Sequence, residues 1–431
     1  VQNTVVARVM NSLYSFNGTS WQLIYNDDWR WETVNASDGS LLISEERFGW
    51  IERRVVVLNT IGTVTAVVQN NAELRYPMHA VKSGNEIWIA DLEKGLVKAE
   101  SNLFERYAIN SPYGRLDGEM LFYKNTLYVA GGSINDAWNY QFNGSGFFTF
   151  TNNEWKDYNR FTLPWMDTIF DIISIAVDPR NDVIYAGSFG GGLIEFTSAT
   201  QFKVYKQNSP LNVAIGDPNN YRVGGMAFDK ENNLWISNFG GSNNFLVKKA
   251  DGNWRSFRVP FLIQDNMVGA VLIDDADQKW IQVPQGNGVF CYNHGASIEN
   301  TGDDRWKWLQ AGRGNGNLPS NAVNCMVKDK DGFIWLFSTA HGTNAPSYVH
   351  KSLKPYSIDA FEQVNVTKIE NGKVVPMNNF SYLQSWYEPE NGFINLFTHY
   401  DRGVILNQPS KPRRTISYMT SKDGVNYSAW K

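Results

Sequence analysis

The sequence predicts an all-β protein built from repeated sheets of short antiparallel strands, and three observations predict it. Aromatic residues fill 14% of the 431 positions, as 16 Trp, 20 Tyr and 25 Phe, and 36 Gly interrupt the chain at short intervals. Aromatic and β-branched side chains suit a half-buried pleated surface, while Gly and Asn supply the turns between strands. Amphipathic runs with a 3.6-residue period are missing, which argues against long helices. The third observation is an internal repeat, and it sets the arrangement of the strands.

The segments "SDGSLLIS" at 37, "SGNEIWIAD" at 83, "YKNTLYVAGG" at 123, "DPRNDVIYAGSFGGGL" at 178, "DKENNLWISNFGG" at 229, "DDADQKWIQVPQGNGV" at 274 and "DKDGFIWLFST" at 329 share one order of residue types. A polar turn comes first, then an apolar residue, a large residue and alternating apolar positions. The large residues are Leu42, Trp88, Tyr128, Tyr185, Trp235, Trp280 and Trp335, spaced 40 to 57 residues apart. Repeats of about 40 to 50 residues holding several short strands read as β-propeller blades.

One complete unit is the stretch from Tyr221 to Val259. It offers "GGMAFD", "NLWISN", "FLVKKA" and "WRSFRV", with an Asp251-Gly252 hairpin signal before the last. The segment from Asn11 to Ile24 matches only the last two strands of such a unit. Residues 1–24 are therefore expected to complete the blade around Trp335, closing a seven-bladed ring and removing its exposed edges. Trp88, Tyr128, Tyr185, Trp235, Trp280 and Trp335 are expected to be structural, each packing one sheet on the next and burying on the order of 150–250 Å2. The expected division is a propeller over 1–335 and further blade-like segments over 336–431, in the same ring or in a second one.

Charge excludes several function classes. Lys and Arg total 39 against 43 Asp and Glu, a formal net charge of -4, and both signs are scattered. No basic arm or patch suggests nucleic acid, and no stretch approaches the roughly 18 apolar residues of a spanning helix. Cys291 and Cys325 lack metal-ligand spacing and cannot frame a chain of this size with disulfides. The start at Val1, without a signal peptide, reads as a mature or trimmed fragment.

The stretches "EIWIADLEKGLV", "RVGGMAFDKENNLWISN", "ADGNWRSFRVP" and "LPSNAVNCMVKDKDGFIW" resemble the two-component regulator propeller repeat. Within that class, residues 1–335 are similar to the surface propellers of type IX secretion in Bacteroidetes. The resemblance implies a cell-surface or periplasmic, non-enzymatic propeller, with other surface proteins or glycan such as anionic lipopolysaccharide as partners. A sensor domain of a hybrid two-component system is the related alternative. Residues 336–431 resemble the BNR-repeat, sialidase-like propellers. There "TSKDGVNYSAW" (420–430) is similar to the Asp-box turn, in which Asp423 would cap backbone donors and Tyr427 would pack beneath.

Chemistry is sparse by comparison. Of the histidines His79, His294, His341, His350 and His399, three fall in the last 91 residues. In a sialidase-like lyase a His or Tyr would take the proton beside a uronate carboxylate while Arg neutralises the developing charge. The candidates would be His341, His350, His399, Tyr400 and Arg413 or Arg414; loop and strand positions in a packed blade are the simpler account. A hydrolytic sialidase fares worse, because Arg402, Arg413 and Arg414 come without a Tyr–Glu pair. The calcium-like "DKDG" at 329 and "DDADQ" at 274 lack a terminal bidentate Glu and read as turns, so no metal and no cofactor is expected. Loop aromatics such as Trp138 and Trp165 are the candidate sugar platforms.

Overall fold

The computed structural model describes residues 5–107, 110–135, 137–338, 348–377, 381–401 and 413–429, with 381–382, 398–401 and 413–415 described by backbone alone. The chain divides into two compact units, Val1–Ser111 and Pro112–Lys431. The first holds blades 1 (5–26), 2 (30–68) and 3 (77–107). The second holds blades 4 (120–158), 5 (172–205), 6 (222–257), 7 (271–309), 8 (323–364) and 9 (381–421), with a small sheet of 367–370, 373–376 and 426–427. Blades 2 to 8 are four-stranded and each is an antiparallel meander in chain order; blades 1 and 9 have three strands. These sheets are blades of a propeller fold. Among the described residues no helix is long and apolar enough to cross a membrane.

Blade 6 shows why the repeat folds this way. Asp229 closes the first turn: its Oδ1 accepts the backbone N–H of Glu231 and Asn233, and its backbone N–H donates to the Asn233 carbonyl. Asn232 sits at φ 63°, the left-handed region that Asn tolerates. The Asp251-Gly252 turn forms as the sequence signal requires, with Gly252 at φ 88° and Lys249 donating to Asn253.

Consecutive blades pack face to face through the repeated large residue. Trp235 lies among Phe245, Phe257 and Tyr292 at the junction of blades 6 and 7. Trp280 faces Leu336 and Phe361 at the next junction, and Trp335 meets Phe393 of blade 9 at 4.8 Å. These three indoles are 0–1% exposed. Tyr185 and Leu42 are buried at their own junctions, whereas Tyr128 and Trp88 are half-buried.

A hydrogen bond that the repeat pattern alone did not reveal fixes each indole. Trp235 Nε1 donates to Asp229 Oδ2 at 2.8 Å, Trp280 to Asp274 at 2.9 Å and Trp335 to Asp329 at 2.8 Å. The turn Asp and the core Trp, six residues apart, are thus one device. It folds the turn and satisfies a buried N–H that would otherwise be costly. The "DKDG" and "DDADQ" carboxylates at Asp329 and Asp274 are spent in this way.

The N-terminal closure expected from the sequence does not form. Residues 5–26 pair with one another as blade 1, within the first unit. The blade around Trp335 takes its third and fourth strands from Tyr348–Ser352 and Phe361–Val364. Those strands lie directly downstream, so the blade needs no distant segment. The expected boundary at 335 falls inside a strand, Ile334–Ser338, and blade 9 continues the series by packing on blade 8. The Asp-box-like turn seals that contact. Asp423 Oδ1 accepts the N–H of Val425 and Asn426, Tyr427 is buried, and Gly424 leaves no room for a Cβ against Trp335 and Phe393.

Candidate functional site

In blades 4 to 7, the loop between strands two and three and the connection to the next blade emerge at the same end. Loop-borne groups gather there. The 131–146 loop of blade 4 is the longest reach. Asp171, fully buried, pins it by accepting the N–H of Gln141 and Phe142 on Oδ2 and of Asn143 on Oδ1, each at 2.9 Å.

The pinned loop carries Trp138 across the second unit. Its indole stacks on Phe239 of blade 6 at 5.4 Å and 3°, and its edge meets Gly269, where a Cβ would lie 2.6 Å from Trp138 Cη2. Gln285 of blade 7 donates to the Ala137 carbonyl at 3.4 Å. Blade 7 is the fourth of the six blades in this unit, so the loop of the first blade reaches past blades 5 and 6 to touch it.

Beneath Trp138, Arg222 is held in a box of rings. Its guanidinium lies 4.5 Å from the Tyr140 ring, 5.3 Å from Phe189 and 5.6 Å from Phe239. Nε donates to Tyr140 Oη at 2.8 Å and Nη2 to Asp217 Oδ2 at 2.7 Å. Asp217 also accepts from the Tyr140 hydroxyl and from Asn220. Desolvation pulls the Asp217 carboxyl upward, but the hydrogen bonds from Tyr140, Arg222 and Asn220 win and hold it below the usual range. Burial, then the bond to Asp217, pushes the Tyr140 phenol up. The cluster is closed on itself: an anchored cation, an engaged carboxylate and a phenol unfit as a nucleophile near neutral pH.

Asp217 also borders an open cleft of about 620 Å3 lined by Leu211, Asn212, Ile215, Tyr221 and Ser242. Its wall is ordered by loop bonds, Asn212 Oδ1 accepting from Ser242 Oγ and the Asn243 N–H, and Ile215 donating to the Gly240 carbonyl. Ile215 is nevertheless 58% exposed. The combination of a mainly apolar rim, neutral amides and a rigid floor suits non-covalent contact.

Sequence reasoning missed Glu119, which precedes the first strand of blade 4. Its side chain is solvent-accessible, yet desolvation pushes its carboxyl up to about 7, against a bond from the Ile175 N–H at 3.1 Å. Its charge also acts on Cys325 of blade 8. Only the strand-edge position carried a signal in the sequence.

Of the candidate catalytic residues, His399, Tyr400, Arg413 and Arg414 share one end of blade 9, and His350 lies in blade 8. His341 is outside the described residues. His350 is central in its blade, opposite Leu336 and Gln363. It is fully buried, 3.5 Å from Ser338 Oγ, with its ring pushed down to about 4 by burial. His399 and Tyr400 pair in backbone register with Thr415 and Arg414 of blade 9, and Arg413 with Asp401. His350 belongs to a different sheet. Of the loop aromatics, Trp165 is spent on Phe202 at 3.8 Å and 8°, while Trp138 turns inward. Among the described residues no three His, Cys, Asp or Glu side chains are grouped to hold a metal.

With this geometry in view, the comparisons bear on the fold. The two-component regulator propeller family matches residues 317–340, the end of the blade 7 to 8 connection and the first half of blade 8. PorZ, described as an essential bacterial surface component of the type IX secretion system of Porphyromonas gingivalis, superimposes with a TM-score of 0.68 at 18% identity, over 96% of this chain. The fold is that of the PorZ β-propeller. The chain spans 54% of the length of PorZ. An extracellular domain from B. thetaiotaomicron, described as part of a one-component system, aligns over 99% of this chain and 57% of its own at 13% identity, with a TM-score of 0.27. Virginiamycin B lyase from Staphylococcus aureus aligns over 71% of this chain and 90% of its own at 13% identity, with a TM-score of 0.35. Of these three structures, only PorZ superimposes closely enough to compare blade by blade. No curated protein matches the sequence.

Proposed function

We propose that this chain is a non-enzymatic scaffold of the cell envelope, at the surface or in the periplasm, that offers protein or glycan partners a rigid loop-end face, in the manner of a type IX secretion component. The observation that carries this reading is the closed Arg222–Asp217–Tyr140 cluster, whose cation, carboxylate and phenol are engaged with one another. Such a face can position and bind. Propellers suit the task because the blades fix the scaffold while the loops are free to vary.

Binding is tested by titrating the purified chain with envelope glycans and candidate surface proteins in calorimetry. Saturable binding that weakens at least tenfold in Ile215→Asp or Tyr221→Ala supports the reading. A polyuronate that acquires new ultraviolet absorbance on incubation with the chain, through an activity lost in His399→Ala, would overturn it in favour of a lyase. The regulator match at 317–340 favours one second reading, an extracellular sensor. That version predicts small-molecule binding in the same cleft without protein partners.

A further inference from the structure

The hairpin between the third and fourth strands of blade 7 is drawn out to residues 294–304, against 249–253 in blade 6. It forms a strap that leans on blade 6 at two points. Midway along, Glu299 accepts from Lys249 Nζ at 2.8 Å and from Arg255 Nη1 at 2.7 Å. At the root, His294 stacks on Trp235 with ring centroids 5.7 Å apart at 26°. The strap's own bonds are short-range: Asn293 Oδ1 accepts the Gly295 N–H and Asp303 Oδ2 the Ala296 N–H, both at 2.9 Å.

Beneath the root lies a fully buried amine. Lys279 Nζ meets Asp277 Oδ2 at 2.9 Å, the Asp277 carbonyl at 2.8 Å and His294 Nδ1 at 2.8 Å, and it sits 4.5 Å from the Trp235 ring. An ammonium has three N–H donors and no lone pair. Each of its protons therefore has one acceptor, and His294 Nδ1 must be one of them, which makes the buried imidazole neutral. Asp277 Oδ2 lies 3.5 Å from the same Nδ1, so one carboxylate would have to serve two cations if the ring were protonated. The other nearby acids are committed. Asp229 holds Asn233 and Trp235, Asp303 holds Ala296, Asp304 accepts the Tyr292 hydroxyl at 3.1 Å, and Glu299 has Lys249 and Arg255. Burial, then the charge of Lys279, pulls the imidazole below its ordinary value, against weaker opposition from Asp277, Asp229 and Glu231.

We propose that the 294–304 strap is an acid-released clasp: a proton taken up at His294 Nδ1 breaks the bond to Lys279 and lifts the root of the strap off Trp235, while Glu299 keeps it tethered to blade 6. The bond count requires the first step, because Nδ1 cannot hold a proton and accept one from Lys279 at the same time. The sign follows from linkage. The folded ring titrates below the about 6.5 of an exposed imidazole, so the neutral-ring stabilisation is complete above that value and drains as the pH falls. Position decides what moves. His350 sits inside a central strand, whereas His294 follows the end of the strand Val289–Asn293, so its charge can be relieved by the strap without opening a sheet. The strap leaves blade 7 at the end opposite its loop between strands two and three, so the clasp stands independently of the proposed binding face.

The test is amide exchange of the 431-residue chain between about pH 7.5 and pH 5, corrected for the intrinsic pH dependence of exchange and read peptide by peptide. Protection within 294–304 should fall at least tenfold as the pH drops, with the strands of blades 6 and 7 unchanged. His294→Asn keeps an acceptor near the place of Nδ1 and cannot titrate, so its strap should stay protected throughout. Lys279→Met removes the opposing cation, and the midpoint of the fall should move up toward about 6.5. Protection that is equal at both ends of the range would overturn the proposal. So would a fall that persists in His294→Asn, one shared by all the blades, or a midpoint that Lys279→Met leaves in place. Should His294→Asn fail to fold, the midpoint in Lys279→Met decides alone.

Discussion

The turn Asp and the core Trp six residues later should be energetically coupled, and the blade 7 pair measures it. Asp274 is buried; its Oδ1 accepts the N–H of Ala276 and Gln278, and its Oδ2 accepts Gln278 Nε2 at 2.8 Å and Trp280 Nε1 at 2.9 Å. Asp274→Ala removes four acceptor contacts at once. Bonds to a charged group are worth about 1.5–3 kcal/mol each, but they share one carboxylate and do not add, so the expected cost is about 3–5 kcal/mol. Trp280→Phe deletes the donor and part of a ring in a fully buried site, about 1–2 kcal/mol by the usual large-to-small cost less the volume that Phe retains. In the double variant no indole N–H is stranded. Its cost should fall short of the sum of the singles by about 1–2 kcal/mol. Urea unfolding followed by circular dichroism gives the three values. Amide exchange over 271–309 shows whether the loss is local to the blade, the outcome expected where repeats contact only neighbours. Additivity within about 0.5 kcal/mol would refute the coupling.

Three further outcomes follow from the same geometry. The folded His350 titrates lower than an exposed His at about 6.5, so the folded state binds fewer protons. The stabilisation from its neutral ring is complete above about 6.5 and drains as the pH falls toward 4; the full loss is about 3 kcal/mol. His350→Leu should flatten that acid limb in unfolding measured from pH 7 to 4.5, and an unchanged limb would show that His350 does not set it. Gly269→Ala places a methyl on Trp138, so the 131–146 loop should lose exchange protection at a cost of about 1–3 kcal/mol; unchanged protection would mean that the loop is not seated on Gly269. Asp423 is held down to about 2 by its turn donors although desolvation pulls the other way. Its contribution is present above the ordinary Asp value and is lost as the pH falls toward 2. Because the side chain is exposed, Asp423→Ala should cost only about 1 kcal/mol at neutral pH, read as a thermal shift of a few degrees that disappears in acid.

What was legible in the sequence was whatever repeats. The seven large residues mark the seven four-stranded sheets, and the Asp251-Gly252 and Asp423 turns form as written, because turn chemistry is local. Blade 1 was misassigned because its two recognisable strands match the end of a repeat equally well whether they complete a distant blade or stand with a third strand of their own. Only pairing distinguishes the two. The loop-end cluster was illegible for a related reason. Trp138 and Asp217 lie in loops without periodicity and Arg222 at the very start of a strand, and their meeting depends on how far the 131–146 loop reaches. Trp138 was noticed as an aromatic on a loop, but the sequence could not say that it would face inward.

Repetition also sharpens the meaning of the exceptions. A buried Trp at the repeat position needs no functional account, since the junction explains it. A Trp at the same position that is only half-buried is the exception, because its ring stays partly open to solvent. Trp88 is that residue, and its own blade compensates with the Glu86 acceptor and the Lys98 cation, partners suited to a rim that alternates between water and contact. The same comparison separates the two ends of the chemistry. Trp235, Trp280 and Trp335 have their N–H groups satisfied by a buried turn Asp, which makes them permanent. Trp88 has its N–H on a half-exposed Glu of its own strand, which leaves its ring the least firmly seated of the four.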